Sequence, residues 1–225
     1  MIHLSIILKK GPEEEVTRDD LKKQSFQDYE IISAENRVHE LNKAIKKSQG
    51  SFLTFMKPGV LSETNRFAQQ IDLLEDQELA AIGSPVLVVY ERGQNLISYP
   101  VEFEDIYSSF FWEKKNFMFD SSVLVKKDAV ISVGGMSSVV RQSEESLMTA
   151  LELSVWCRIM LSGKKIKNTS EPLVKCQQKH IDSSKQYFFE RDMIWGMFRR
   201  KSFVQHKFDD SDDFVFDSIF QRKNN

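Results

Sequence analysis

The first residues able to do chemistry follow a short apolar run: Lys57-Pro58-Gly59-Val60, directly after Phe52, Leu53, Phe55 and Met56. The run is too short for a helix and apolar on both faces, the pattern of a covered central strand. Open α/β sheets place their ligands beyond the carboxyl ends of such strands, so chemistry is expected near Met56-Lys57-Pro58-Gly59. A lysine there is a point charge suited to phosphate; the plainer alternative is a soluble turn residue. Glu152 lies at the edge of a helical apolar stripe. A carboxylate beside a cleft can take a proton from a hydroxyl, although a solvated helix glutamate has the same pattern. His180 is a lone histidine with no carboxylates grouped about it, as is usual for a structural or exposed one. The pairs Asp209-Asp210 and Asp212-Asp213 lack the Gly and terminal Glu of a calcium loop and read as a solvated acidic face. Cys157 and Cys176 have neither metal-ligand spacing nor a disulfide framework, and read as buried thiols in a reducing compartment.

The elements that must position these residues alternate. Residues 2–8 form a β-branched apolar run, a buried first strand, and 13–24 a helix with acid at its start and base at its end, as the helix dipole prefers. Residues 29–34 are the second strand. Asn36 is placed to cap an amphipathic helix in which Val38, Leu41 and Ile45 recur at helical spacing, stopped by Gly50. After strand 52–56, Ser62 is placed to cap a helix running to about residue 75, with Phe67, Ile71 and Leu74 on one face. This alternation builds a mostly parallel sheet with helices on both sides. Beyond it, 84–90 reads as a strand, 92–113 as a long aromatic loop, 121–125 as a strand and 127–133 as a short helix closed by Gly134-Gly135. Ser143 is placed to cap a long helix to 161 with Leu147, Leu151, Val155 and Ile159 in line. Residues 166–174 read as extended. Tyr187 to Phe203 reads as a last amphipathic helix; with its basic residues and apolar stripe it can pack on the domain, dock a partner or lie on an anionic bilayer.

Composition sets bounds. A chain of 225 residues, 41% hydrophobic, can bury one good core and carry a tail. The expected division is a main domain over 1–184 and an extension over 185–225. With 31 basic and 33 acidic residues the net charge is −2, which argues against bulk nucleic-acid binding. The start of the chain has no basic region and no cleavage site of a signal peptide, and no run approaches the ~18 apolar residues of a membrane span. A cytoplasmic protein is expected, with 187–203 as a possible peripheral contact.

Gln24-Ser25-Phe26-Gln27-Asp28-Tyr29-Glu30-Ile31-Ile32 resembles a signature of family-2 glycosyltransferases, Q-T-aromatic-x-x-aromatic-E-I-I. Further segments follow in that family's order over roughly residues 2–184. Asn42-Lys43-Ala44-Ile45 with Ser48-Gln49-Gly50-Ser51-Phe52-Leu53 is one, and Val123-Leu124-Val125-Lys126-Lys127 with Val133-Gly134-Gly135 another. Trp156, Arg158 and Gly163 precede Glu171-Pro172-Leu173-Val174, and residues 180–184 resemble the family's closing H-x-x-S-x-S. The resemblance implies a GT-A fold and transfer of a sugar from a nucleotide-diphosphate donor to a hydroxyl acceptor, in cell-surface polysaccharide or glycoprotein assembly.

The same resemblance assigns roles. Glu35-Asn36 stands where family members carry Asp-Asp against the nucleotide base. Lys57-Pro58-Gly59-Val60 stands where they carry the Asp-x-Asp-Asp that holds a divalent cation, and a hard cation needs oxygen ligands that these residues lack. No metal or other cofactor is therefore expected, and Lys57 is the candidate cation against the donor diphosphate. Glu152, four residues before Trp156, falls on the position of the catalytic base. His180 matches a residue that contacts the leaving group or metal in some relatives. The alternative is a non-catalytic homologue that binds a partner or a glycan.

Overall fold

The computed structural model describes residues 3–75, 78–137, 150–181 and 185–201. Ser143, Leu147, the residues 182–184 and the acidic pairs near 209–213 lie outside them. In chain order the elements are β1 (Leu4–Lys9), α1 (Glu14–Leu21), β2 (Tyr29–Ala34), α2 (Val38–Lys47), β3 (Phe52–Met56), β4 (Leu61–Ser62), α3 (Arg66–Leu74), β5 (Leu79–Gly83), β6 (Val86–Val89), β7 (Gln94–Ile97), α4 (Phe103–Glu113), β8 (Leu124–Lys126), α5 (Lys127–Ser132), α6 (Leu151–Leu161), β9 (Lys165–Asn168), β10 (Val174–Gln177) and α7 (Lys185–Arg200).

The expected class is observed: an α/β fold with a mostly parallel sheet covered by helices. Six strands run in the order β2-β1-β3-β8-β5-β9. β1 pairs in parallel with β2 and β3, and β5 with β9, while β8 is antiparallel to both its neighbours. Among the described residues β8 is thus the one reversed strand of this sheet. Because side chains alternate across a strand, Ile7, Leu53, Phe55 and Val125 face one side, against α2, α4, α6 and α7. Leu4, Ile6, Leu8, Met56 and Leu124 face the other, against Leu21 of α1 and Phe67, Ile71 and Leu74 of α3. On that second side lies a small sheet, β4-β10-β6-β7.

Several local expectations are corrected. Residues 92–113 are not a loop: a β6–β7 hairpin turns through Gly93 at φ +101°, and α4 follows. Ile106 and Phe110, four apart, bury α4 against Phe117 and Phe198. Asn36 is not the cap of α2, whose N-cap is Arg37, and Ser62 belongs to β4, with Asn65 preceding α3. Residues 120–122 form a 3-10 turn before β8, and the extended segment near 166–174 is two strands in different sheets. α7 sets Tyr187, Glu190, Ile194 and Phe198 into the interior, while Phe188 and Phe189 stay exposed.

Candidate functional site

Register brings the expected positions to one edge. Leu8 pairs with Met56 and Lys9 with Ala34, so Lys9, Lys57 and Glu35 all emerge at the carboxyl ends of neighbouring strands. Strands are spaced about 4.8 Å apart, which puts Glu35 and Lys57 about 10 Å from each other across β1. Glu35 is exposed and pairs with Lys10 at 3.4 Å; Asn36 is half-buried beside it. The reversed β8 begins where β3 ends, and so delivers the 3-10 turn Asp120–Ser122 to the same edge.

That turn is held from several directions. The Lys57 amide donates to Ser121 Oγ at 3.1 Å, and Gln70 Nε2 donates to the Ser122 carbonyl at 2.8 Å. Ser122 Oγ accepts from the Ser84 amide at 2.9 Å. Arg66 is fully buried and donates to the Ser121 carbonyl at 2.9 Å, to Ser62 Oγ at 2.9 Å and to Thr54 Oγ1 at 3.2 Å. Burial pushes the Arg66 guanidinium down to about 9, still above neutrality, so it is a fixed buried cation satisfied by neutral oxygens.

Four charges meet at this edge. Lys9, 4% exposed, forms an ion pair with Glu152, 1% exposed, in the first turn of α6. Glu152 is therefore buried rather than a solvated helix residue. Burial would raise its carboxyl, but the charge and hydrogen bond of Lys9, with the charge of Lys57, hold it below the ordinary range. One turn on, Trp156 donates its indole N–H to Asp120 Oδ1 at 3.1 Å. The Asp120 carboxyl is pushed up to about 6, first by burial and then by Glu152, against the opposing charges of Lys57 and Lys9 and the Trp156 bond. Lys57 is half-buried, and its charge acts on Asp120, Glu152, Cys176 and His180 together. Tyr99 completes the wall. Burial, then Asp120 and Cys176, raise its phenol, so it stays a neutral donor.

His180 lies over the loop after β3. It meets Glu13 at 3.1 Å, and Lys179 meets the other oxygen of Glu13 at 2.6 Å. Burial lowers the His180 imidazole despite Glu13, assisted by Lys179 and Lys57. Gly59, at φ +79°, sits so close beneath His180 and Glu13 that any Cβ would collide with both. The donor set does not fit a divalent cation. Lys57 occupies the strand end, Glu13 is already bound by Lys179, and no group of three or more His, Cys, Asp or Glu able to hold a metal occurs among the described residues.

Thus the structure brings Lys57 and Glu152 into one cluster, sets His180 beside it, and leaves Glu35 and Asn36 two strands away at the same edge. Sequence reasoning missed Lys9, Asp120, Tyr99 and Glu13. For Lys9 a signal existed: it ends a buried strand in the same manner as Lys57. Cys157 and Cys176 are both buried, unpaired thiols. Elsewhere, a shallow hollow of about 510 Å³ lies at the opposite edge, among Gln49, Phe52, Lys127 and Ile131, away from these groups.

No protein-family model and no curated protein matches the chain. Among solved structures, S. aureus TarS 1-349 in complex with UDP is similar, with a TM-score of 0.60 at 12% identity over 87% of this chain and 65% of that one. TarS 1-349 in complex with UDP-GlcNAc has a TM-score of 0.60 at 10% identity, over 85% and 65%. A further S. aureus TarS chain matches at 0.60 and 10%, over 87% and 39%. This chain thus spans less than two thirds of each of these TarS chains. Among the described residues no helix is long and apolar enough to cross a membrane. At such identity the likeness establishes the fold alone, which this chain shares with the TarS chains.

Proposed function

We propose that the chain binds a nucleotide-diphosphate sugar at the carboxyl edge of the six-stranded sheet and transfers the sugar to a hydroxyl acceptor on a glycan or glycoprotein. The observation that carries this reading is the cluster of Lys9, Lys57, Asp120 and Glu152 at the edge where α/β sheets receive ligands. Its support is the shared fold with chains solved with UDP and UDP-GlcNAc. Preorganised positive charge stabilises the charge that builds on a leaving diphosphate, and Lys57 is the half-buried cation placed to supply it. Glu35 and Asn36 would face the nucleoside, and His180 with Glu13 would border the diphosphate. Glu152 and Asp120 are the carboxylates of the cluster able to receive the acceptor proton. Phe188 and Phe189 on the outer side of α7 are placed for a partner or membrane contact. The family-2 assignment and a place in polysaccharide assembly belong to the same proposal.

The test is calorimetric titration of UDP-sugars, with a chelator and with manganese. Binding should persist in the chelator. Lys57→Ala should weaken it by about 1.5–3 kcal/mol, the range of a charge-assisted hydrogen bond, and Lys57→Arg should lose less. No binding by the unaltered chain at millimolar donor, or binding strictly dependent on manganese, would overturn this reading.

A further inference from the structure

Building on the transferase reading, we propose that Asp120, not Glu152, takes the proton from the acceptor hydroxyl, and that Glu152 is a positioning residue acting through Lys9. Glu152 has the sequence position expected of a base but not the surroundings. It is 1% exposed and its charge is engaged by Lys9, itself 4% exposed. A hydroxyl reaching it would have to break that pair in the interior.

Asp120 differs on each point. It is partly exposed, and it opens the 3-10 turn that the reversed strand brings to the cleft. Its orientation is set by the Trp156 indole at 3.1 Å, and its turn is fixed by the Lys57 amide, Arg66, Gln70 and the Ser84 amide. A group held this firmly needs little rearrangement to meet a bound acceptor. The charged and titratable groups facing it are Lys9 from the end of β1, Lys57 from the end of β3, Glu152 and the Cys157 thiol from α6, and Tyr99. Glu152 acts on Asp120 in two ways: directly, as the strongest charge raising its carboxyl, and through Lys9, the cation it holds in place and which opposes that effect.

The step balances without a co-reactant. Asp120 accepts the hydroxyl proton as the acceptor oxygen forms its bond to the anomeric carbon. The bond from that carbon to the diphosphate oxygen breaks, and the nucleoside diphosphate leaves with the electron pair. The proton then passes from Asp120 to solvent. With water as acceptor the products are free sugar, nucleoside diphosphate and one proton.

The experiment uses the full chain with UDP-GlcNAc, following UDP release to water, donor binding by calorimetry, and melting temperature. Asp120→Asn should bind donor within about threefold of the unaltered chain while UDP release falls about 10²–10⁴-fold, the usual contribution of a positioned base. It should melt no lower, since it removes a charge that the fold holds at a cost. Glu152→Gln should melt lower yet keep measurable release. Its acid limb in kcat/KM should move below the limb near pH 6 of the unaltered chain, because a negative neighbour of Asp120 is gone. Should Glu152→Gln not fold, Lys9→Met with Glu152→Gln, which leaves no unpaired buried charge, tests whether release survives without the Glu152 carboxylate. Full release by Asp120→Asn with binding intact overturns the assignment of Asp120 alone. Loss of release in Glu152→Gln, with the fold and donor binding intact, returns the role to Glu152. Absence of donor binding by the unaltered chain overturns the transferase reading beneath both.

Discussion

Removing one partner of the Lys9–Glu152 pair is the most direct perturbation of this architecture. Both side chains are nearly without exposed surface, so Glu152→Gln leaves an ammonium in the interior with its counter-charge gone. Breaking a buried pair in this way costs about 3–5 kcal/mol. Asp120 also acts on Lys9 and can take up part of the load, which favours the lower end of that range. For a domain of 150–250 residues each kcal/mol moves Tm by about 2–4 °C, so a fall of about 6–12 °C is expected. Lys9→Met should cost a similar amount, and the double variant should recover a coupling of about 1–3 kcal/mol in a double-mutant cycle. The cost must also depend on pH. Glu152 is held below its ordinary range, so its contribution is present above the unfolded carboxylate value and is lost as pH falls through the lower folded one. Asp120 has the opposite sign: its contribution is present below the unfolded value of 3.8 and is lost as pH rises through about 6. Urea melts of the four proteins at pH 7 and pH 3.5 read both effects. A cost below about 1 kcal/mol at pH 7, or one that does not shrink in acid, would show that the pair is not a buried interaction and would refute the reasoning.

Other perturbations separate the supports of the cleft from its core. Arg66→Met removes the donor that holds the Ser121 carbonyl and should cost about 2–4 kcal/mol, from several lost charge-assisted bonds partly offset by easier burial; denaturant midpoints would measure it, and a neutral result would mean the turn holds itself. Phe198→Ala should cost about 3–5 kcal/mol, because its ring meets Phe110, Tyr107 and Phe111 with no exposed surface. A loss under 1 kcal/mol by the same measurement would make α7 an appendage rather than part of the core.

The first half of the fold was legible because its strands are β-branched or aromatic runs between clear helix stops, and register then followed from burial. β5 was not legible. Leu79–Gly83 is rich in alanine and glycine, poor strand formers, and is a strand because β8 and β9 pair with it on either side. α4 was missed because its aromatic residues cover every side of the helix and hide the Ile106–Phe110 spacing that buries it. In the site, Lys57 stood out as a charge at a strand end, and Glu152 through its distance from Trp156. Asp120 gave no local signal: an acid followed by two serines describes any turn. Its environment comes from Trp156, thirty-six residues later, and from strands laid side by side by the topology. Burial of a charge is a property of the assembled sheet, and spacing along the chain does not record it.

The reversed direction of β8 has a consequence for how the cleft can be altered. In a wholly parallel sheet only segments that leave strands can reach the ligand edge. Here a segment that enters a strand reaches it too, so Asp120–Ser122 faces Lys57 without sharing a loop with it. The negative and positive halves of the cleft are thereby carried on separately exchangeable stretches of chain. The register of Leu53 with Val125 and Thr54 with Leu124 acts as the gauge that keeps them opposed. One residue inserted between Ser122 and Leu124 would leave every strand in place and still turn the carboxylate away, disarming the cleft while the sheet that frames it stays whole.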